Sequence, residues 1–383
     1  MSDRADERYY GLDLLRFIAA GLVVFFHYAF LSWAAPYAVQ AGFGHVPRFP
    51  ELGQIASVGW VGVEVFFVIS GFVIAYSARA ATPAQFFRGR VLRLLPALWL
   101  AAPATASVLL LSGAGLGDVL PMLARSVVLF PTGPWVDGVY WTLCLEIVFY
   151  GTVFLLLMAR RPHWLEGFAI VMGIVSSLAC LAALAPGPVG QLFARAVESW
   201  PLRLLELRNG CEFALGVLLY CLVSKPMRIT RMLLIVLFTA GSLAEIWMLM
   251  LSESPGGGTP AGALAAMLLW LACMALFTLA ILPGASRVIR TAGLDVPFAR
   301  LGELTYPLYL SHQVVGWALL SAIYARYENR WIALGLTAVL AIGLTLAIVR
   351  IEPLVRRALD AGLRLTLPAM RPATRAASVG GGR

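Results

Sequence analysis

Apolar residues fill most of this chain in runs of about twenty, the length that carries a helix across a hydrocarbon core of about 30 Å. Read between their charged and Pro- or Gly-rich breaks, these runs predict ten spans. They fall near residues 11–34, 55–78, 91–113, 139–159, 166–185, 204–224, 231–251, 261–283, 301–323 and 331–350. The segment 117–130 (GDVLPMLARSVVLF) is apolar but too short and interrupted to span, so an interfacial or re-entrant piece is expected there. The predicted fold is all-α, a polytopic transmembrane helix bundle. Residues 1–350 form its membrane domain and 351–383 a basic tail. Within that tail EPLVRRALDAGLRL is expected to lie on the inner leaflet, and the Pro-, Ala- and Gly-rich end to be disordered.

Composition agrees. The 383 residues are 60% hydrophobic and only 13% charged, with mean hydropathy +0.84, where a soluble domain is about a quarter charged. That leaves no room for a second soluble domain. The long run behind the charged first residues contains Arg16, which favours a retained first span over a cleaved signal peptide. The net charge of +9 follows from loop asymmetry rather than from a nucleic-acid partner. The termini and the loops on their side hold 21 of the Lys and Arg residues, and the opposite loops hold six. Positive residues stay inside, so both termini are expected in the cytoplasm. The five cysteines sit in apolar stretches without CxxC spacing and read as small core residues.

Ionisable residues inside spans are costly and are functional candidates by default. Span one carries Asp13, Arg16 and His27. Eleven steps of about 100° bring His27 back to the Arg16 stripe, roughly 16 Å further along the helix. Asp13 and Arg16 can pair at i,i+3. Span two carries Glu64; its Ser70–Gly71 pair reads as small-residue packing. Arg90 and Arg93, spaced i,i+3 at the entry to span three, suit bidentate phosphate binding, whereas Arg88 reads as an interfacial anchor. In span four Thr142, Glu146 and Tyr150 share a face, with Trp141 just before them. Arg208 and Glu212, at i,i+4 in span six, read as a paired structural charge. In span nine Thr305, Tyr309 and His312 share a face, and Pro307 is expected to kink the helix. No ligand set has metal spacing, and no GxSxG, P-loop or dinucleotide motif is present, so no metal and no resident cofactor are expected.

Depth along the helices places an arginine-lined inner mouth some 15–25 Å from a cluster of His27, Glu64, Glu146 and His312. A histidine beside a carboxylate can take a proton from an alcohol, with the carboxylate fixing its tautomer. An acyl thioester with a nucleotide head has the shape for such a site.

Five segments carry a family resemblance. They are LDLLRFIAAGLVVFFH with Arg16 and His27, GVEVFFVISGF with Glu64, RVLRLLP with Arg90, Arg93 and Pro96, WTLCLEIVFY with Trp141, Glu146, Phe149 and Tyr150, and LTYPLYLSH with Tyr306, Tyr309 and His312. In this order they resemble the acyltransferase 3 family of integral membrane acyltransferases, over about residues 10–350. Three positions depart from the family pattern: Gly89 replaces an arginine, Thr142 a serine, and Ile147 a second acidic residue, which leaves Glu146 to act alone. Some relatives add an extracytoplasmic hydrolase-like domain, for which this chain is expected to be too short.

The resemblance implies a multi-pass protein of the bacterial inner membrane that O-acylates a glycan or small hydroxyl acceptor, with acyl-CoA, acetyl-CoA above all, as co-substrate. Arg90 and Arg93 would hold the phosphates and Arg16 would line the pantetheine path. His27 would be the general base, oriented by Glu146. Asp13, Glu64, Trp141, Tyr150, Tyr309 and His312 would line or support the cavity. The alternatives are a proton-coupled transporter or flippase, whose repeated halves are not visible here, and a glycan-assembly scaffold.

Overall fold

The computed structural model describes residues 8–35, 42–252 and 258–366, helical in nearly every element and without a strand among those residues. In chain order the helices are α1 (Tyr10–Phe26, continued by a π turn His27–Leu31), α2 (Pro50–Ala56), α3 (Gly62–Ala78), α4 (Pro83–Leu111), α5 (Leu116–Val127), α6 (Trp141–Met158), α7 (Trp164–Ala183), α8 (Gly187–Glu198), α9 (Gly210–Ser224), α10 (Ile229–Ser252), α11 (Pro260–Ile281), α12 (Asp295–Ser311), α13 (Gln313–Tyr327) and α14 (Arg330–Thr366). Among the described residues eight segments are long and apolar enough to cross a membrane, built on α1, α3, α4, α6, α7, α10, α11 and α14. The chain is thus an all-α, multi-pass membrane bundle. Leucines 264, 268, 276 and 279 of α11 point outward and exposed, as a lipid-facing side requires.

The two other expected spans differ. Residues 204–224 shorten to α9, because Glu206 takes a left-handed backbone (φ +63°) that ends regular helix before Gly210. Residues 301–323 split into α12 and α13 at His312. The His312 ring nitrogen Nδ1 lies 2.8 Å from the Tyr309 carbonyl, the acceptor that the Gln313 amide would otherwise use. Pro307 lies inside α12.

Span three begins earlier than expected. Thr82 and Gln85 form a capping box, and Pro83 takes the first helical position. Arg88, Arg90 and Arg93 therefore all stand on α4. The interfacial expectation for 117–130 matches α5, an amphipathic helix that buries only Val119 and Ser126. The α8 helix is a second of that kind and was not expected.

Helices α3 and α9 pack backbone to backbone. A Cβ at Gly71 would come within 2.1 Å of the Phe213 carbonyl oxygen, and one at Gly216 within 2.0 Å of the Val68 oxygen. Close approach of this kind is how membrane helices associate when no hydrophobic drive separates them from lipid.

Residue 350 falls inside α14, so the expected basic tail begins within a helix. The α14 helix runs unbroken through it to Thr366, about 55 Å in all. Its last turns dock on α4, where Arg88 Nε donates to Asp360 Oδ1 at 2.5 Å. The Pro-, Ala- and Gly-rich end, 367–383, lies outside the described residues.

Candidate active site

Two cavities meet inside the bundle. The first, about 680 Å³, opens between the N-terminal half of α1 and α3, α4, α6 and α12. Arg16, Arg90, Arg93, Glu146, Tyr150 and Tyr306 face it. The second, about 370 Å³, lies three turns further along α1 and is faced by His27, Trp60, Glu64, Trp141, Arg208 and Gln313. Val63 and Tyr309 line both and form their common wall.

The arginines of the first cavity are not alike. Arg8 and Arg16 share Asp13: Arg8 Nε donates to Asp13 Oδ2 at 2.9 Å, and Arg16 Nη1 lies 3.7 Å from Oδ1. Asp13 itself packs against α12, where a Cβ at Gly302 would overlap its carboxylate. Arg90 and Arg93 have no carboxylate at ion-pair distance among the described residues. They rest on aromatic rings, Arg90 on Phe86 and Tyr150 and Arg93 on Tyr306, each with its guanidinium carbon 5.7 Å from the ring centre. The Arg90 Nε is buried with no hydrogen-bond partner. Guanidiniums without a carboxylate at ion-pair distance can take an anion with bidentate bonds.

Glu146 belongs to this cavity. Ser70 Oγ and Tyr150 Oη both donate to its carboxylate, the latter at 2.9 Å. The expectation that Glu146 orients His27 is therefore corrected: the two residues line different cavities, and the carboxylate is held by neighbours on α3 and α6. The shared face of Thr142, Glu146 and Tyr150 is real. Ser70 and Gly71 divide their work, since Gly71 supplies the close packing and Ser70 holds Glu146. Thr142 Oγ1 donates to the Val139 carbonyl at 3.0 Å and receives the Tyr309 hydroxyl at 3.0 Å, which fixes Tyr309 in the common wall.

His27 begins the π turn, a widening of the helix that recurs at functional positions. Its Nδ1 is 2.8 Å from the Val23 carbonyl and 3.1 Å from His312 Nε2. His312 Nδ1 faces the Tyr309 carbonyl. A ring nitrogen that close to a carbonyl oxygen must carry hydrogen, so both rings are protonated on Nδ1. His312 then presents its Nε2 lone pair to His27, and His27 keeps the Nε2 lone pair of its own ring unprotonated. Three long-range bonds fix the surrounding backbone: Trp317 Nε1 to the His27 carbonyl (2.9 Å), Tyr28 Oη to the His312 carbonyl (3.0 Å) and Tyr140 Oη to the Leu310 carbonyl (3.2 Å). Tyr28 fits against α13 because residue 316 is glycine; a Cβ there would overlap its ring. Asp137, in the loop before α6, accepts from the Val314 amide at 3.1 Å and so ties the start of α13. Burial pushes its carboxyl up to about 7.

Glu64 lines the second cavity with His27 and accepts from Asn209 Nδ2 at 2.9 Å. Behind it the carboxylates of Glu64, Glu212 and Glu245 gather within 4.8 Å. The pairing expected within span six is corrected here. Arg208 Nε is 3.4 Å from Glu245 on α10, while Glu212 takes the Cys211 thiol at 3.2 Å. Trp141 carries the Arg203 guanidinium 4.5 Å above its ring and that of Arg208 at 5.7 Å. All five cysteines are buried and unpaired, as small core residues should be.

The sequence reading missed Ser70, Asn209, Glu245, Gln313 and Arg356. Arg356 belongs to the supposed tail, yet it lines the first cavity. Only the buried polar character of Asn209 and Glu245, set in otherwise apolar runs, could have flagged them.

Charged and hydroxyl side chains gathered around linked cavities inside a multi-pass bundle define either a membrane-embedded transferase or a transporter. Comparison with known proteins separates these. The chain belongs to the acyltransferase family whose profile is described as "Acyltransferase domain", matched over residues 9–350. Among curated proteins it is similar to Nodulation protein 10 of Rhizobium leguminosarum bv. viciae, 31% identical over 170 residues, which cover 36% of this chain and 46% of that protein. It is also similar to Exopolysaccharide production protein ExoZ of Rhizobium meliloti (strain 1021), 42% identical over 53 residues, or 13% of this chain and 17% of that protein. The chain thus spans less than half the length of either relative. No solved structure matches.

Proposed function

We propose that this membrane acyltransferase moves an acyl group, acetyl in the simplest case, from acyl-CoA to a hydroxyl of a glycan or related acceptor. The observation that carries the donor assignment is the pair Arg90 and Arg93, two guanidiniums on one cavity with no carboxylate at ion-pair distance among the described residues. A pyrophosphate seats there with bidentate, charge-assisted bonds. Arg16 lines the route inward, and the pantetheine arm runs past Glu146 to the wall formed by Val63 and Tyr309. Loop charge supports a mouth on the cytoplasmic side, with the termini on the same side, in a bacterial inner membrane.

The acceptor occupies the second cavity, which Trp60 and Trp141 line and where Glu64 offers a hydrogen-bond acceptor. His27 Nε2 takes the acceptor hydroxyl proton as the oxygen attacks the thioester carbonyl. The C–S bond then breaks, and the proton passes from His27 to the leaving thiolate. Products are the O-acyl ester and free CoA, and no net proton is gained or lost. The name of the exopolysaccharide relative supports a saccharide acceptor, reached from the outer side.

The test is thiol release from acetyl-CoA by the purified protein in detergent, with and without an oligosaccharide acceptor. Acceptor-stimulated release with appearance of an acetyl ester is expected. A protein that binds CoA but never consumes its thioester contradicts the proposal.

A further inference from the structure

His312 lines neither cavity, yet its ring stands 4.8 Å from that of His27, centre to centre, at a steep angle of 72°. It is 1% exposed and comes from the break between α12 and α13, held there by Tyr28 through its own carbonyl. A buried polar ring placed edge-on against a second histidine, its own carbonyl held by Tyr28 and that of nearby Leu310 by Tyr140, is an arrangement the fold maintains at a cost in regular hydrogen bonding.

We infer that His312 is a positioning residue for His27, the uncharged counterpart of the carboxylate that usually stands behind a catalytic histidine. This rests on the reading of His27 as general base. The argument is one of proton placement. The Tyr309 carbonyl at 2.8 Å commits the His312 proton to Nδ1. That leaves the Nε2 lone pair as the only polar feature His312 can turn towards His27, 3.1 Å away. The His27 Nδ1 proton is then shared between the Val23 carbonyl and His312 Nε2, so the lone pair of His27 Nε2 faces the second cavity. When His27 takes the acceptor proton it becomes an imidazolium, and its Nδ1–H bond to His312 strengthens in step with the charge. An interaction stronger in the transition state than in the ground state speeds the chemical step without tightening donor binding. Glu146, assigned this duty by sequence reasoning, is bonded to Ser70 and Tyr150 and lines the other cavity.

The experiment compares wild type, His312→Leu and His312→Gln in purified form, reading acetyl transfer, CoA affinity and thermal unfolding. The Gln side chain can place its amide oxygen where Nε2 stood and accept from His27; Leu cannot. Wild-type turnover comes first, because its absence defeats the transferase reading and leaves His312 out of account. Given turnover, His312→Leu is expected to lower kcat about tenfold or more, with KM for acetyl-CoA and CoA affinity unchanged, and His312→Gln to recover most of that loss. Full kcat in His312→Leu, or a Gln variant as slow as the Leu variant while both bind CoA normally, overturns the inference. Should the Leu variant fail to fold, nitrogen-15 spectra of the four histidines in the wild type decide. His27 and His312 both protonated on Nδ1 are expected, and an Nε2–H tautomer at either overturns it.

Discussion

Arg16 and His27 occupy one stripe of α1, three turns apart, yet they face different cavities. Val63 and Tyr309 line both cavities and stand between them as their common wall. On the proposed function, that spacing would set the distance from a donor-binding mouth to the base. Glu146 falls on the Arg16 side of that wall, and this alters what each residue should do when changed.

If the proposed function holds, donor binding should depend on Arg90 and Arg93. Charge-assisted bonds of this kind contribute about 1.5–3 kcal/mol each, so Arg90→Ala or Arg93→Ala should weaken CoA binding roughly tenfold to a hundredfold. Isothermal titration with CoA and with dephospho-CoA checks this. Among the described residues neither arginine has a carboxylate at ion-pair distance, so each variant loses only its ring contacts and should unfold close to the wild-type temperature.

Glu146→Gln should not disturb the His27 tautomer. Histidine nitrogen-15 shifts should match wild type, while CoA affinity changes because a negative charge leaves the arginine cavity. A shifted His27 signal would restore the direct coupling that the geometry denies.

The Arg208–Glu245 pair is wholly buried. Breaking one partner strands a charge and costs about 3–5 kcal/mol. Arg208→Met or Glu245→Gln alone should thus lower thermal stability sharply in detergent, whereas the double variant should recover much of the loss. A double-variant cycle that proves additive would show the two residues to be independent.

The α3–α9 contact admits no side chain. Gly71→Ala would put a methyl 2.1 Å from the Phe213 carbonyl, so the helices must separate. A loss of about 1–3 kcal/mol is expected, read as a lower unfolding temperature, with Gly151→Ala, a site with open space around it, as the neutral control.

Docking of α14 on α4 should order the cavity mouth. Arg88→Asp and Asp360→Arg should each weaken CoA binding through Arg356, and the exchanged pair should restore it.

Much of this architecture was legible because lipid imposes one solution on the backbone, and runs of about twenty apolar residues show it directly. The cavity residues were legible for the same reason: Asp13, Arg16, His27, Glu64, Glu146 and His312 are costly where they stand, and most of them do line a cavity. Pairing between helices was not legible. Helical spacing gives neighbours within one helix, so it suggested Arg208 with Glu212, but the bundle supplied Glu245 from α10. It likewise suggested Glu146 behind His27, because depth was known and azimuth was not. The break at His312 depends on a ring nitrogen taking a backbone carbonyl, which hydropathy does not register. The docking of 351–366 includes the Arg88–Asp360 ion pair, and in sequence both residues read as ordinary surface charge.

The most direct test of the account is His27→Gln measured for two quantities in the same preparation, CoA affinity and acetyl transfer. The account predicts wild-type affinity, because the phosphate arginines line the other cavity, together with a loss of transfer of about a hundredfold or more. Transfer at the wild-type rate by His27→Gln would contradict it.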